Sequence, residues 1–220
     1  MRKKGLLIDL DDTLYAEKTY VLSGFKAVAQ FLAKQTTLSE EILYDFMVQD
    51  LAKNGRGQTF NRVLNYAEVS ITNHLVQQLI QLYRNHEPDI ALFDGVYELL
   101  EHLKVSFTLI LVTDGLPVMQ MNKVKALELE FIFDHIYYPW SYKHPKPAPE
   151  SYDYPLKEIG LKPSQAIIIG DNPINDAGPA KALGIPFWQI HSETKLRAET
   201  CEKFFLNFTD IGAYLEETDE

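Results

Sequence analysis

The sequence predicts an α/β fold with a parallel β-sheet core, helices on both faces of the sheet and one inserted block of helices. Short apolar runs, typical of strands buried on both faces, alternate with helical patterns over most of the chain. Within residues 16–88 the periodicity is helical instead. Because strand–helix alternation is typical of parallel sheets, we divide the chain into an α/β core of residues 1–15 and 89–220 and an α-helical cap of residues 16–88.

Four apolar stripes at helical spacing predict the helices of the cap. We expect these stripes to form the packing core of the cap. They contain Val21, Leu22, Phe25, Val28, Ala29 and Leu32; Ile42, Leu43, Phe46, Met47 and Leu51; Phe60, Val63, Leu64 and Ala67; and Leu75, Val76, Leu79, Ile80 and Tyr83.

The α/β alternation of the core is marked by turn and helix signals. Pro117 suits the first turn of a helix, Gly184 is a stop signal, and Pro155 predicts a kink. In chain order we predict strands over residues 6–8, 107–112, 136–138, 166–169 and 186–190, and helices around 96–103, from 117 toward 129, from 149 to about 160, over 177–183 and over 209–216.

Three of the predicted strands end in polar side chains. Asp9 and Asp11 follow the first strand, Thr113 follows the second, and Asp171 follows the strand over residues 166–169. Because ligands of open α/β sheets bind beyond the carboxyl ends of strands, we expect these side chains to share a site. Two neighbouring carboxylates favour protonation of one or a bound cation. Taken alone, an acidic turn that caps a helix would explain the first pair equally well.

With these residues the chain resembles the haloacid dehalogenase (HAD) superfamily, in its phosphatase-like branch with a helical cap. The resemblance implies a Rossmann-like core. Each motif alone is weak, but all four occur in order over nearly the whole chain. The motifs are Asp9, Asp11 and Thr13 for the first, Thr113 for the second, Lys146 for the third, and Gly170, Asp171 and Asp176 for the fourth.

The resemblance assigns catalytic roles to these residues. Asp9 is the expected nucleophile, since a carboxylate can attack phosphorus and form an aspartyl-phosphate. Asp11 is the expected general acid and base, which protonates the leaving alkoxide and later deprotonates the attacking water. Thr113, with the backbone N–H of Asp114, is expected to donate hydrogen bonds to the transferring phosphoryl group, and Lys146 to neutralise its charge.

The carboxylates also predict a metal site. Asp9 and Asp171 are expected to hold a cation, and Mg²⁺ suits a site with few protein oxygens plus water and substrate phosphate. The resemblance adds the backbone carbonyl of Asp11 as a ligand. Asp176 is expected to orient the site or to reach the metal through water. It is also a candidate N-cap of the following helix, and these roles are not exclusive.

Thr13, Asp114 and Arg56 are candidate substrate-binding residues. Relatives in the HAD superfamily commonly carry Asn at the position of Asp114, and an acceptor-only carboxylate suits a donor-rich substrate such as a sugar. Arg56, flanked by Gly55 and Gly57, either contacts an anionic substrate or connects two cap helices.

Composition narrows the function classes further. The formal net charge of −10 argues against nucleic acid or an anionic membrane as the main partner. The single cysteine, Cys201, excludes an intramolecular disulfide and a cysteine-rich zinc site. Because the apolar runs are too short for a signal peptide or a membrane span, we expect a cytoplasmic protein, as a monomer or homodimer.

The sequence therefore predicts a Mg²⁺-dependent phosphatase that acts on a small phosphorylated metabolite. A sugar phosphate, a nucleotide and an organic acid phosphate all remain open as substrates. A phosphomutase on the same core and a non-catalytic relative that binds a phosphorylated ligand are the alternatives. Family dehalogenases generally lack an acid–base residue at the position of Asp11, which favours phosphate chemistry.

Overall fold

A computed structural model describes residues 4–192 and 194–218. The strands are β1 (Lys4–Ile8), β2 (Phe107–Val112), β3 (His135–Tyr137), β4 (Ala166–Gly170), β5 (Phe187–Ile190) and β6 (Lys203–Phe205). They form one six-stranded sheet in the order β3-β2-β1-β4-β5-β6, and all neighbouring strands are parallel. The predicted parallel α/β fold is confirmed.

Nine α-helices accompany these strands in the described part of the chain. They are α1 (Glu17–Ala33), α2 (Glu40–Asn54), α3 (Thr59–Tyr66), α4 (Asn73–Asn85), α5 (Val96–Ser106), α6 (Pro117–Ala126), α7 (Glu150–Ile159), α8 (Ala177–Leu183) and α9 (Asp210–Thr218). None of the helices in that part has the length and apolar character that a membrane crossing requires.

The chain divides into two compact units. Met1–Glu17 and Ala91–Glu220 form the α/β unit, and Lys18–Ile90 forms the helical unit. In the helical unit, the hydroxyl of Ser39 accepts a hydrogen bond from the N–H of Ile42 at 3.3 Å and begins α2. Gly55 ends that helix with a φ of 69°, which favours glycine. The fully buried side chains of the predicted stripes are Val28, Ala29, Leu43, Met47, Val63, Leu64 and Leu79.

The centre of the α/β unit is β1. Its residues Leu6, Leu7 and Ile8 are fully buried, as expected for a strand with neighbours on both sides in a parallel sheet. Ile8 lies beside Leu111 of β2 and Ile169 of β4. The three central strands therefore end at nearly the same level, and the residues that follow them share one edge of the sheet.

Several element bounds differ from the sequence-based expectation. Helix α6 ends at Ala126 rather than near residue 129, because Glu128 adopts a left-handed conformation with a φ of 55°. Strand β3 begins one residue earlier than predicted, and α9 is shifted by one or two residues at its ends. Strand β6 was not predicted, since it has three residues and begins with a lysine. Pro155 lies inside α7 and is buried.

Candidate active site

Three strand ends bring most of the predicted site residues together. The N–H of Asp9 donates to the carbonyl of Ile169 at 2.9 Å, which connects the end of β1 to β4. The N–H of Thr113 donates to the carbonyl of Tyr137 at 3.1 Å and connects the end of β2 to β3. Because the central strands end at nearly the same level, Asp9, Thr113 and Asp171 lie at one edge of the sheet.

Asp9, Asp171 and Asp176 form a buried carboxylate cluster. Each offers one oxygen, and these oxygens lie within 4.8 Å of one another. Burial raises the pKa of Asp9 well above its usual value, with Lys146 opposing the rise. Burial also raises the pKa of Asp171 to about 6, with Lys195 opposing the rise. Three ionised carboxylates at this spacing repel one another, so the cluster favours a bound cation, and oxygen ligands suit a hard divalent ion.

Lys146 connects two of these carboxylates. Its Nζ donates to Oδ1 of Asp9 at 2.5 Å and to Oδ1 of Asp176 at 2.8 Å. Burial by itself would lower the pKa of Lys146, but Asp176 and Asp9 raise it well above its usual value. The side chain of Lys146 is therefore protonated at neutral pH, and its positive charge lies beside the predicted nucleophile, Asp9.

Asp176 occupies the N-cap position of α8, but its side chain makes no capping hydrogen bond. Its Oδ1 instead accepts from the hydroxyl of Tyr152 at 2.7 Å, and its Oδ2 accepts from the backbone N–H of Asn172 at 3.1 Å. Tyr152 belongs to α7 and is fully buried. The carboxylate of Asp176 is thus directed toward the cluster rather than toward the helix that it precedes.

The carboxylate of Asp11 has its own set of donors. The Nζ of Lys123 lies 2.7 Å and 2.8 Å from its two oxygens, and the hydroxyl of Tyr15 lies 2.5 Å from Oδ1. The Nε2 of Gln120 lies 3.4 Å from Oδ2. Lys123 and Gln120 belong to α6, and only 2% and 3% of their surfaces are exposed. These donors fix the orientation of the Asp11 carboxylate.

Both predicted threonines donate their hydroxyl hydrogens to protein groups. Thr113 is fully buried and donates to Oε1 of Gln120 at 2.9 Å, so its proton is not directed at a phosphoryl group in this structure. The Nε2 of Gln120 donates to the carbonyl of Asp114 at 2.8 Å, which fixes the amide orientation. Thr13 donates to Oδ2 of Asp9 at 3.3 Å and therefore contacts the predicted nucleophile.

Asp114, a predicted substrate-binding residue, contacts the segment that carries Lys146. Its Oδ1 accepts from the backbone N–H of Lys146 at 2.9 Å, and its Oδ2 accepts from Nε1 of Trp140 at 3.0 Å. Both oxygens fix the segment that carries Lys146. Two facing donors explain why an acceptor-only carboxylate fits at this position. The other candidate, Arg56, lies in the exposed turn after α2 and belongs to the helical unit.

Three side chains that contact the aspartates where β1, β2 and β4 end, here called the strand edge, were not predicted from the sequence. They are Gln120, Lys123 and Lys195. Gln120 and Lys123 lie three residues apart on one face of α6, and this polar pair within a helix was the available signal. The Nζ of Lys195 donates to Oδ2 of Asp171 and lies 3.4 Å from Oδ2 of Asp12. Lys195 lies in an irregular segment after β5, where no periodicity marks it.

The sequence model of the haloacid dehalogenase-like hydrolase family matches residues 6–190. Among curated proteins, glyceraldehyde 3-phosphate phosphatase of Methanocaldococcus jannaschii is 27% identical over 189 residues, which cover 83% of this chain and 82% of the relative. Pyrophosphatase PpaX of Bacillus velezensis is 28% identical over 177 residues, which cover 78% of this chain and 76% of the relative.

Solved structures with the same fold include both phosphatases and dehalogenases. An HAD phosphatase from Thermococcus onnurineus has a TM-score of 0.65 at 18% identity, covering 96% of this chain and 97% of its own. A 2-haloacid dehalogenase from Pseudomonas syringae has a TM-score of 0.67 at 22% identity, covering 99% of this chain and 100% of its own. At these identities the likeness concerns the fold, and the side chains must distinguish the chemistry.

Proposed function

Because the chain belongs to the haloacid dehalogenase-like hydrolases, we propose that it is a Mg²⁺-dependent phosphatase that hydrolyses a small phosphomonoester through an aspartyl-phosphate on Asp9. One observation carries the proposal. The buried cluster of Asp9, Asp171 and Asp176 lies in contact with the charged ammonium of Lys146. A candidate nucleophile, a candidate cation site and a charge that can neutralise phosphate thus lie together at one edge of the sheet.

The reaction needs two proton transfers and two displacements at phosphorus. First, an oxygen of Asp9 attacks phosphorus, and the bond to the leaving oxygen breaks while Asp11 donates a proton to that oxygen. Water then attacks the phosphorus of the aspartyl-phosphate, and Asp11 accepts a proton from it. The carboxylate of Asp9 is released together with inorganic phosphate, and Asp11 again carries its proton.

Two neighbours prepare Asp9 for attack. Lys146 donates to one of its oxygens at 2.5 Å and Thr13 to the other at 3.3 Å, so the orientation of the carboxylate is fixed before substrate binds. Lys146 also supplies a positive charge for the incoming phosphoryl group. Fixed charges and donors of this kind account for most of the catalysis in phosphoryl transfer.

The donor set of the cluster fits Mg²⁺. Asp9 and Asp171 would hold the ion, with the carbonyl of Asp11 as the ligand that the family resemblance implies and Asp176 orienting the cluster. When bound, the ion would offset negative charge on the phosphoryl group and counter the effect of burial on Asp9. The Nζ of Lys195 contacts the same carboxylate of Asp171, so the ion would share that carboxylate with the ammonium.

The relatives support phosphate chemistry on a small metabolite. Two of them are named as a glyceraldehyde 3-phosphate phosphatase and a pyrophosphatase, and both alignments cover about four fifths of this chain. Asp11 supplies the acid and base that phosphoester hydrolysis requires. The helical unit interrupts the chain between the first two motifs, and we assign it the role of a cap domain.

The test is phosphate release from an aryl phosphate and from a panel of sugar, nucleotide and organic acid phosphates. We expect release with Mg²⁺, none in EDTA, and recovery when excess Mg²⁺ is added. An Asp9→Asn variant is the matched control for contaminating phosphatases. Absence of release with any divalent ion would contradict the phosphatase proposal, and full activity in EDTA would contradict the metal site.

A further inference from the structure

We propose that Lys123 and Gln120 of α6 are positioning residues that set the orientation of Asp11 for proton transfer. The inference rests on the proposed phosphatase function and deepens it. Lys123 contacts both oxygens of Asp11, at 2.7 Å and 2.8 Å, and Gln120 lies 3.4 Å from one of them. Neither residue belongs to the four motifs. Lys123 lies 112 residues and Gln120 lies 109 residues from Asp11 along the chain.

The burial of Lys123 is the first argument. Its side chain is 2% exposed, whereas that of Asp11 is 21% exposed. Placing an ammonium in the interior is costly, and a methionine of similar length would pack there without that cost. The geometry therefore points to a role for the charge itself. That role is to fix the accessible carboxylate of Asp11 through two hydrogen bonds, which prevent its rotation.

Gln120 supplies the second argument, because its amide orientation is determined by its neighbours. Its Nε2 faces two acceptors, the carbonyl of Asp114 at 2.8 Å and Oδ2 of Asp11 at 3.4 Å. Its Oε1 accepts from the hydroxyl of Thr113 at 2.9 Å. One side chain thus connects the proposed acid–base residue to the end of β2, so the position of Asp11 is coupled to the strand edge that carries the cluster.

Tyr15, four residues after Asp11, also contacts the Asp11 carboxylate. Its hydroxyl donates to Oδ1 of Asp11 at 2.5 Å, and its ring is fully buried. Asp11 is therefore restrained by one residue from its own turn and two from α6. A general acid or base acts efficiently only when its oxygen is within hydrogen-bond reach of the reacting atom, so loss of these restraints should slow proton transfer more than substrate binding.

The experiment compares two substrates in a Lys123→Met variant with Mg²⁺ present. For an alkyl phosphate, whose leaving group needs a proton, we expect kcat to fall about 10- to 100-fold with KM within about twofold. For an activated aryl phosphate, whose leaving group needs little protonation, we expect a retained burst of phenolate, slow steady-state turnover and a phosphate adduct by intact-protein mass spectrometry. A merely structural role would lower the burst and the turnover together.

Lys125→Met is the matched control, since Lys125 lies on the same helix and is exposed. It should leave both substrates unaffected. If Lys123→Met does not fold, as judged by its melting curve, Gln120→Leu and Tyr15→Phe carry the test, with smaller losses of the same kind. Partial recovery of alkyl phosphate turnover in Lys123→Arg would support the importance of the charge.

The outcomes separate the two proposals. Equal losses on the alkyl and aryl phosphates without a burst, or no loss in any of the folded variants, would overturn the positioning role and leave the phosphatase function intact. A wild-type protein that is inactive on every ester with every divalent ion would overturn both the phosphatase function and the positioning role, because there would be no phosphoryl transfer for Asp11 to assist.

Discussion

Each unit of the molecule contains a buried aspartate with a basic partner, and the pKa values of the two aspartates move in opposite directions. In the helical unit, Asp50 accepts from Arg62 at 2.5 Å and 2.7 Å and from Asn54 at 2.8 Å, and the hydrogen bonds from Arg62 lower its pKa. In the α/β unit, Asp171 accepts from Lys195, yet burial raises its pKa to about 6. Asp50 pairs with Arg62, whereas Asp171 also lies close to the carboxylates of Asp9 and Asp176.

The pKa of Asp171 is raised first by burial and then by its neighbours Asp176 and Asp12, whereas the hydrogen bonds from Arg62 outweigh burial at Asp50. Arg62 and Asp50 are matched one to one, through a planar guanidinium that suits both carboxylate oxygens. Among the described residues at the strand edge, five aspartates are contacted by the side chains of only three lysines. The aspartates are Asp9, Asp11, Asp12, Asp171 and Asp176, and the lysines are Lys123, Lys146 and Lys195.

The comparison implies that activity depends on the strand edge, and replacing Asp9 should have the largest effect. Asp9→Asn should lower phosphate release by roughly 10⁴-fold or more, because an amide is a poor nucleophile. Intact-protein mass spectrometry after rapid quenching should show no phosphate adduct. The matched control is Asp50→Asn in the helical unit, which should retain turnover in the folded protein. An adduct on the Asp9 variant would show that another residue is the nucleophile.

Asp11→Asn should have a smaller effect that depends on the leaving group. The variant keeps the nucleophile but loses the acid and base, so steady-state turnover should fall by about 10²- to 10⁴-fold. With an activated aryl phosphate, transfer to Asp9 should continue while hydrolysis is slow, and the aspartyl-phosphate should accumulate. Wild-type turnover in the variant, or no adduct with any aryl phosphate, would contradict the assigned division of labour.

The proposed metal site should respond to pH in the direction set by Asp171. Its pKa of about 6 means that in the metal-free protein it binds a proton below that pH, and this proton must leave before a cation binds. Burial also raises the pKa of Asp9, which adds to the effect. We expect Mg²⁺ affinity to fall about tenfold per pH unit below pH 6 for each proton displaced.

Isothermal titration calorimetry at pH 5, 6 and 7.5 would measure this dependence. Proton release upon binding, obtained from buffers of different ionisation enthalpy, provides a second readout. Asp171→Asn should bind Mg²⁺ weakly at each pH, and Asp50→Asn should follow the wild-type curve. A Kd that is the same at pH 5 and pH 7.5 would contradict the assignment of Asp171 as a ligand.

The sequence predicted those parts of the fold and site that depend on local pattern. Strand β2 and helix α8 have the predicted bounds, because a buried parallel strand is a continuous apolar run and Gly184 ends its helix. Strand β6 was missed because its three residues, Lys203–Phe205, carry too little pattern. The end of α6 depends on the left-handed conformation of Glu128, which its residue type does not favour.

The same limit applies to the site. The positions of Asp9 and Asp171 could be predicted, because apolar runs mark the ends of their strands and ligands of open α/β sheets bind beyond those ends. The partners of the acidic residues were not readable, since Lys123 lies 112 residues from Asp11 and on a helix. Lys195 lies 24 residues from Asp171, in a segment without regular structure. Which lysine pairs with which aspartate is decided by tertiary packing, and a single sequence contains no periodic signal for it.

The smallest expected effect on activity comes from the ion pair of the helical unit, which should affect stability alone. Because the pKa of Asp50 is lowered in the folded protein, its contribution is fully present above the unfolded pKa of about 4 and is lost as the pH falls further. Asp50→Asn should therefore melt several degrees below wild type at pH 7, and the gap should shrink below about pH 4. Asp45→Asn, on the exposed side of the same helix, is the control and should melt like wild type. Differential scanning calorimetry from pH 3 to pH 7 measures both, and a gap that widens in acid would show that the pair does not stabilise the unit.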